Sequence, residues 1–510
     1  MKSEILQKYL QETDEPNIDM VSYVANLEHV AEVDPEIAGS IVLELKNQRN
    51  RIKLIASENY SSLSCQMAMG NLLTDKYSEG FPYHRYYAGC ENVDAIESKA
   101  VELAKELFGA EHAYVQPHCG ADANMIAYWA ILDAKVLIPK FKELQNGYKS
   151  SIDKQIPKTY SDLSETDWQY IRTYCHNQKL LAMDYGSGSH LTHGYRQNIS
   201  AQIFDCYYYS VNENGLLDYS EIEKKAMEIR PLVLLAGYSA YPRAINFRYM
   251  RRIADECGAV LMVDMAHFAG LVAGKQFTGD YDPVRWADIV TTTTHKTLRG
   301  PRGGLILCKE WLKESVNKGC PLVMGGPLPH IIAAKAIALK EASAPEFVDY
   351  ARRIIENAKD LADALKSEGC ELYTNGTENH MVMLKTESFG LTGKQAENAL
   401  LQCGVVLNRN ALPDDPNGAW YTSGLRIGVP AVTTLGMGKQ EMQMIAHIIA
   451  SVLKATSPVE VRGTFSKSAF ETNKNVLENA SKDVLELMER FKVYPTLDLE
   501  FLEKNFCSIK

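Results

Sequence analysis

Three apolar runs, spaced by helical patterning, restrict the fold of this chain more than any other feature. Residues 231–237 read Pro-Leu-Val-Leu-Leu-Ala-Gly, residues 258–264 read Gly-Ala-Val-Leu-Met-Val-Asp, and Ile289-Val290 leads into four threonines. Each run has the length of a strand buried on both faces, and residues 248–257 between the first two are helical in pattern. Buried strands alternating with helices define an α/β fold with a mostly parallel sheet. With 510 residues the chain has room for a large domain and a smaller C-terminal one. Sheets of this kind collect ligands at the carboxyl ends of their strands.

Charged residues stand at those ends. Asp264 closes the second run, and a carboxylate there must find a cation, a hydrogen-bond donor or a shifted pKa. Read alone, it is better explained as a cap on the following helix, and only the lysine one βαβ-length later favours a ligand. The third run ends in His295-Lys296-Thr297-Leu298-Arg299-Gly300-Pro301-Arg302-Gly303-Gly304. A lysine at a strand mouth is a solvated side chain unless burial and a neighbouring cation, for which His295 is the candidate, lower its pKa and make it a nucleophilic amine. The glycines beyond it allow backbone to approach a ligand closely. Cys119-Gly120-Ala121 lies between a strand pattern and a helix pattern, where backbone N–H groups and the helix dipole suit an anion. Residues 76–90 form an irregular loop rich in Tyr, Glu and Arg, suited to a binding edge. Arg426, between small residues on a strand, suits bidentate capture of a carboxylate or an exposed surface about equally.

Taken together, Thr-Thr-Thr-Thr-His-Lys-Thr-Leu-Arg-Gly-Pro-Arg-Gly-Gly at 291–304, Ile-Ala-Ser-Glu-Asn at 55–59 and His-Leu-Thr-His-Gly at 190–194 resemble the motifs of serine hydroxymethyltransferases. That family uses pyridoxal phosphate on fold type I, the aspartate-aminotransferase fold. The resemblance covers roughly residues 35–460. It implies that Lys296 carries the cofactor as a Schiff base, that Asp264 keeps the pyridine nitrogen protonated, and that His190 stacks on the ring. His267 would lie near the phenolic oxygen and the substrate, and Ser239 near the same ring oxygen, with His295 beside the cofactor. Cys119, Gly120, Ala121, Tyr77 and Gly326 would surround the phosphate. Ser57 and Arg426 would hold the amino-acid carboxylate, Glu79 would serve as acid/base at the hydroxymethyl group, and Tyr87 would sit beside the substrate. Asn410, Tyr185 and Ser189 fall at folate-contacting positions. The implied reaction moves the hydroxymethyl carbon of serine to tetrahydrofolate, giving glycine and 5,10-methylenetetrahydrofolate. The implied assembly is a homodimer with shared active sites, a tetramer being left open. Residues 76–90 and the Gly325–Gly326 pair would serve the neighbouring subunit.

The same reading divides the chain into an N-terminal helical arm at 1–50, a large domain at 51–335 and a small domain at 336–510. Asp34-Pro35 marks a helix start in the arm, which in the family wraps the dimer partner. Two departures from the family stand out. Cys119 and Ala121 replace serines, which removes two hydroxyl donors to the phosphate, each worth about 1.5–3 kcal/mol if unreplaced. About forty residues, from 138 to about 180, look inserted, and such additions are usually surface decoration. Within them Gln145-Asn146-Gly147 signals a turn and Ser164-Glu165-Thr166-Asp167 a helix start.

Composition removes several classes. A net charge of −10 gives no reason to expect nucleic-acid binding, and no apolar run reaches membrane-span length. Eleven scattered cysteines without a Cys-x-x-Cys pair argue against a metal site and favour a reducing compartment. An acidic N-terminus without an apolar core leads to the expectation of a cytoplasmic protein. An aldolase-like lyase would share Lys296, Asp264 and Arg426, and a non-catalytic relative would keep the fold. Dependence on folate separates the former, and turnover the latter.

Overall fold

The computed structural model describes residues 4–149, 155–176 and 178–507. Its centre is a seven-stranded sheet in the order His112–Tyr114, Gly304–Cys308, Ile289–Thr293, Val260–Asp264, Val233–Gly237, Lys179–Met183, Asp205–Tyr209. Gly304–Cys308 runs antiparallel to both of its neighbours, and the other pairings are parallel. The strands formed by these three runs, Val233–Gly237, Val260–Asp264 and Ile289–Thr293, are adjacent here and wholly buried. The helix Phe247–Cys257 shows how sequence sets these connections. Asn246 caps it by accepting from the Tyr249 N–H, and Gly258 ends it at φ +79°. Phe247, Met250, Ile253, Ala254 and Cys257 recur at helical spacing and face the core.

A smaller three-stranded antiparallel sheet holds Met381–Lys385, Gly424–Gly428 and Asn408–Asn410. Ile52–Lys53 pairs in parallel with Val405–Val406, so an early segment is tied to a late one. The Gly428 N–H donates to the Leu54 carbonyl at 2.7 Å, and a Cβ on Gly428 would stand 2.3 Å from the Ala56 Cα. That close approach brings Ser57 towards the strand carrying Arg426.

The N-terminal helices Glu4–Glu12, Ile18–Val33 and Pro35–Arg49 share an apolar cluster with Val493, Leu497, Phe501 and Phe506 of the same chain. The Tyr9 and Phe501 rings meet edge-on at 5.4 Å. Asp34 caps the third helix and Pro35 begins it, as the sequence indicates. Ile18, Val33, Ile37, Ile41 and Leu43 remain exposed on this arm.

In the 138–180 region, Ser164 caps the helix Glu165–Cys175, as expected. The expected turn at 145–147 is corrected: those residues lie within the helix Ile138–Lys149. This helix continues from Gly120–Leu132 through a wide turn at Asp133–Leu137, so it needs no new nucleus and tolerates the weak helix formers Asn146 and Gly147. Phe141 packs on Tyr160 at 4.7 Å, and Gln145 donates to the Pro157 carbonyl. Among the described residues, no helix is long and apolar enough to cross a membrane.

Candidate active site

Two adjoining cavities open at the carboxyl ends of the central strands, and Ser57, His190, Ser239, His267 and Lys296 line both. Cys119, Gly120, Ala121, Asn124, Asp264, His295 and Arg302 complete the inner one. Tyr185, Ser189, Asn408, Asn410 and Arg426 complete the outer one.

Lys296 follows the strand Ile289–Thr293 by three residues. Its carbonyl accepts from the Asn59 side chain at 2.9 Å, and Asn59 is itself fixed by Tyr350 and Thr434. Burial pulls the Lys296 ammonium down to about 8, Arg426 and Arg302 push the same way, and Asp264 opposes them. The cationic neighbours are therefore these two arginines. His295, the candidate from sequence, is held neutral, its own pKa pulled down to about 3 by burial and by Lys296.

Asp264 sits at the floor. Its Oδ2 accepts from Asn124 Nδ2 at 2.9 Å and lies 3.0 Å from His193 Nε2, while Oδ1 accepts the Ala266 N–H at 3.0 Å. Burial alone would raise this carboxyl. The hydrogen bonds donated by His193 and Asn124 outweigh it and hold the group below the usual carboxylate range. Asn124 is saturated: its carbonyl accepts from Thr291 at 2.6 Å, and its amide also donates to Thr192 Oγ1 at 2.8 Å. Thr192 Oγ1, having accepted, turns its proton to His190 Nδ1 at 2.7 Å. His190 thus keeps its proton on Nε2, and burial lowers its pKa to about 4. It stands as a flat, uncharged ring at the cavity wall.

Arg426 is aimed by two bonds. Its Nε donates to Asn408 Oδ1 at 3.1 Å and its Nη1 to the Ser239 carbonyl at 2.7 Å. Arg426 lines the outer cavity, where burial lowers its pKa to about 10 without removing the charge. Gly188, at φ +109°, passes so close to Ala240 that its carbonyl accepts both the Ser239 and the Ala240 N–H. That contact holds Ser189 and Ser239 beside one another in the lining of the outer cavity.

The phosphate-type site is the N-terminus of the helix Gly120–Leu132. The Cys119 sulfur takes the cap position, accepting from the Asp122 N–H at 3.5 Å. Lys335 lies beneath the loop, fully buried. Its ammonium donates to the carbonyls of Val115, Pro117 and Gly304 at 2.6, 2.8 and 2.9 Å. It thereby clamps the residues that lead into Cys119.

Tyr77, Glu79, Tyr87 and Gly326 line neither cavity. They form a separate group: the Tyr87 hydroxyl donates to Glu79 at 3.3 Å, the Tyr77 and Tyr87 rings meet at 5.3 Å, and a Cβ on Gly326 would stand 3.1 Å from the Tyr77 ring. Arg85 pins this loop through Asp94 at 2.8 Å, Glu97 at 2.6 Å and the carbonyls of Ser78 and Gly80. No described residue of 138–176 lines either cavity.

Asn59, Asn124, His193, Asn408, Lys335 and Arg85 were not singled out from sequence. The second histidine of His-Leu-Thr-His-Gly and the Asn of Ile-Ala-Ser-Glu-Asn lie inside quoted motifs, so a signal existed for those two.

The residues present fit pyridoxal phosphate. A carboxylate with a depressed pKa faces an aromatic-sized space, a neutral imidazole flanks it, a lysine with a lowered pKa stands beside it, and a helix N-terminus is placed for an anion. Fold and site define a transferase of the pyridoxal-phosphate-dependent fold type I class. A sequence model of serine hydroxymethyltransferase matches residues 30–147 and 160–449. The chain is 57% identical over 510 residues to the serine hydroxymethyltransferase of Treponema pallidum (strain Nichols), spanning 99% of this chain and 87% of that protein. It is 51% identical over 485 residues to that of Salinispora tropica, spanning 95% and 99%. With that of Chlamydia trachomatis serovar D it shares 50% identity over 504 residues, spanning 98% and 99%. The chain belongs to the serine hydroxymethyltransferase family. Between the two matched stretches, residues 148–159, inside the 138–180 segment, fall outside the family match.

Proposed function

We propose that the chain catalyses reversible transfer of the serine hydroxymethyl carbon to tetrahydrofolate, with pyridoxal phosphate held at Lys296. The observation that carries this reading is the convergence of a lysine of lowered pKa, the Asp264 carboxylate and the Arg426 guanidinium on two adjoining cavities. The cofactor, when bound, supplies the electron sink for carbon–carbon cleavage.

The chain's own residues do the rest. Asp264, held ionised, would accept a hydrogen bond from a protonated ring nitrogen. His190, a flat ring in the lining, would cover one face of the cofactor. Ser57 and the free donors of Arg426 hold the amino-acid carboxylate, which orients the bond to be broken. Ser239 and His267, which line both cavities, would meet the cofactor's ring oxygen. The Cys119–Ala121 backbone, supported by Lys335 and with His295 in the same cavity lining, would hold the phosphate. Tyr185, Ser189 and Asn410 rim the outer cavity, on the side where folate would enter.

The second group completes the site from a neighbouring copy. Tyr77 and Gly326 would approach the phosphate, Glu79 would move the proton at the serine hydroxymethyl oxygen, and Tyr87 would stand beside the substrate. The unit is then a homodimer at least. Its boundaries follow an arm at 1–50, a large domain at 51–335 and a small domain at 336–510. With all its cysteines free, it suits a reducing cytoplasm.

The test is a turnover assay with serine labelled at its hydroxymethyl carbon. Label should pass to folate only when tetrahydrofolate and pyridoxal phosphate are both present, and Lys296→Ala should abolish it. Transfer that persists in Lys296→Ala would contradict the assignment.

A further inference from the structure

His267 lines both cavities, but its orientation is controlled from the small sheet's side. Its Nδ1 lies 3.3 Å from Nε2 of His380, the residue just before the strand Met381–Lys385. The two rings are stacked at 5.5 Å and 28°. His380 is fully buried, and its Nδ1 has no hydrogen-bond partner among the described residues. Only one of the two facing nitrogens carries the shared proton. If it sat on His267 Nδ1, His380 Nε2 would be the acceptor and the His380 proton would be on Nδ1, as a buried donor with no acceptor. If it sits on His380 Nε2, the bare Nδ1 of His380 is merely an unused lone pair. An orphaned buried N–H is the more costly of these, and orphaned donors are rarer than under-used acceptors. The His267 carbonyl accepts from Thr297 Oγ1 at 3.0 Å, which fixes the backbone below the ring.

We infer that His380 is a positioning residue that donates from Nε2 to His267 Nδ1, and so makes His267 present an Nε2–H donor to the cavity. The group that donor recognises is an acceptor oxygen of phenolate or carboxylate type. The inference deepens the proposed function, since it says how His267 meets the oxygen-bearing edge of cofactor or substrate. It also couples the small sheet to the reacting centre. The strand after His380 pairs with the Arg426 strand, Met383 opposite Arg426, so carboxylate capture and the His267 donor share one support.

The test is nitrogen NMR of the holoenzyme labelled in its histidine rings, assigned with His380→Gln. The expected result is a proton on Nε2 alone in both His267 and His380. A proton on His267 Nδ1 would overturn the inference. A second test compares variants. His380→Gln retains an N–H donor and should keep kcat within about threefold of the parent protein, while His380→Leu should lower kcat about tenfold or more with little change in serine KM. Equal losses in both would also overturn it, and if His380→Leu does not fold, the spectra decide. The tautomer is read whether or not serine is turned over, so a failed assay and a failed tautomer are distinct results.

Discussion

Nε2 of His193 lies 3.0 Å from Oδ2 of Asp264, and Nδ1 of the same ring accepts the His190 backbone N–H at 3.4 Å. The second contact leaves the His193 proton on Nε2, aimed at the carboxylate. Asp264 can therefore stay ionised in a buried place without a metal or an arginine beside it. His193→Phe should leave the fold intact and lower kcat roughly ten- to a hundredfold, the equivalent of about 1.5–3 kcal/mol for a hydrogen bond to a charged group. Steady-state kinetics check this, and an unchanged kcat would remove His193 from the machinery.

Lys296 has an ordinary value of 10.5 and is drawn down to about 8. A depressed lysine reacts as the neutral amine above its folded pKa and is protonated below it. Capture of pyridoxal phosphate by the cofactor-free protein should therefore quicken about tenfold per pH unit below 8 and level off above it. Stopped-flow absorbance gives the profile. A rate still climbing through pH 10 would mean an unperturbed lysine.

Arg426 holds two protein bonds and keeps its other donors for the cavity. Arg426→Ala should raise the serine KM roughly ten- to a hundredfold, again about 1.5–3 kcal/mol, with a smaller effect on cofactor affinity. A near-normal KM would move the carboxylate site elsewhere.

Ala121 and Cys119 border the anion site without a hydroxyl. Ala121→Ser should tighten pyridoxal phosphate binding several-fold by restoring a donor. Equilibrium titration measures it, and unchanged affinity would show that the backbone and Lys335 already suffice.

Glu79 stands apart from Lys296 within one chain, which the shared-site reading explains. Glu79→Gln and Lys296→Ala should each be inactive alone. Mixed after subunit exchange, they should recover up to about a quarter of full activity, because half the dimers would be hybrids with one intact site each. No recovery despite proven exchange would mean that Glu79 serves the Lys296 of its own chain, against the shared-site reading.

Much of this was legible in sequence because it depends on local order. Asp264 ends a buried strand, Lys296 follows another by three residues, and a small-residue turn opens a helix, so strand ends and charge together marked the site. The partners of the supports were not legible, even for His193, which lies inside a motif. Asn124 reaches Asp264 across 140 residues, His193 across 71, and His380 reaches His267 across 113. Nothing in their neighbours' identities announces such contacts. The helix through 145–147 shows the converse: local turn chemistry yielded to a helix already under way and to packing on Tyr160. His295 misled for a related reason, since adjacency in sequence suggested a cation that burial neutralises.

The most direct test of the account is the visible spectrum of the purified protein with pyridoxal phosphate, first with glycine and then with tetrahydrofolate added. The account predicts a cofactor band that depends on Lys296, little change with glycine alone, and an intense long-wavelength band once both ligands are present. A long-wavelength band indifferent to folate would point to an aldolase-like lyase, and no cofactor band at saturating pyridoxal phosphate would contradict the account at its root.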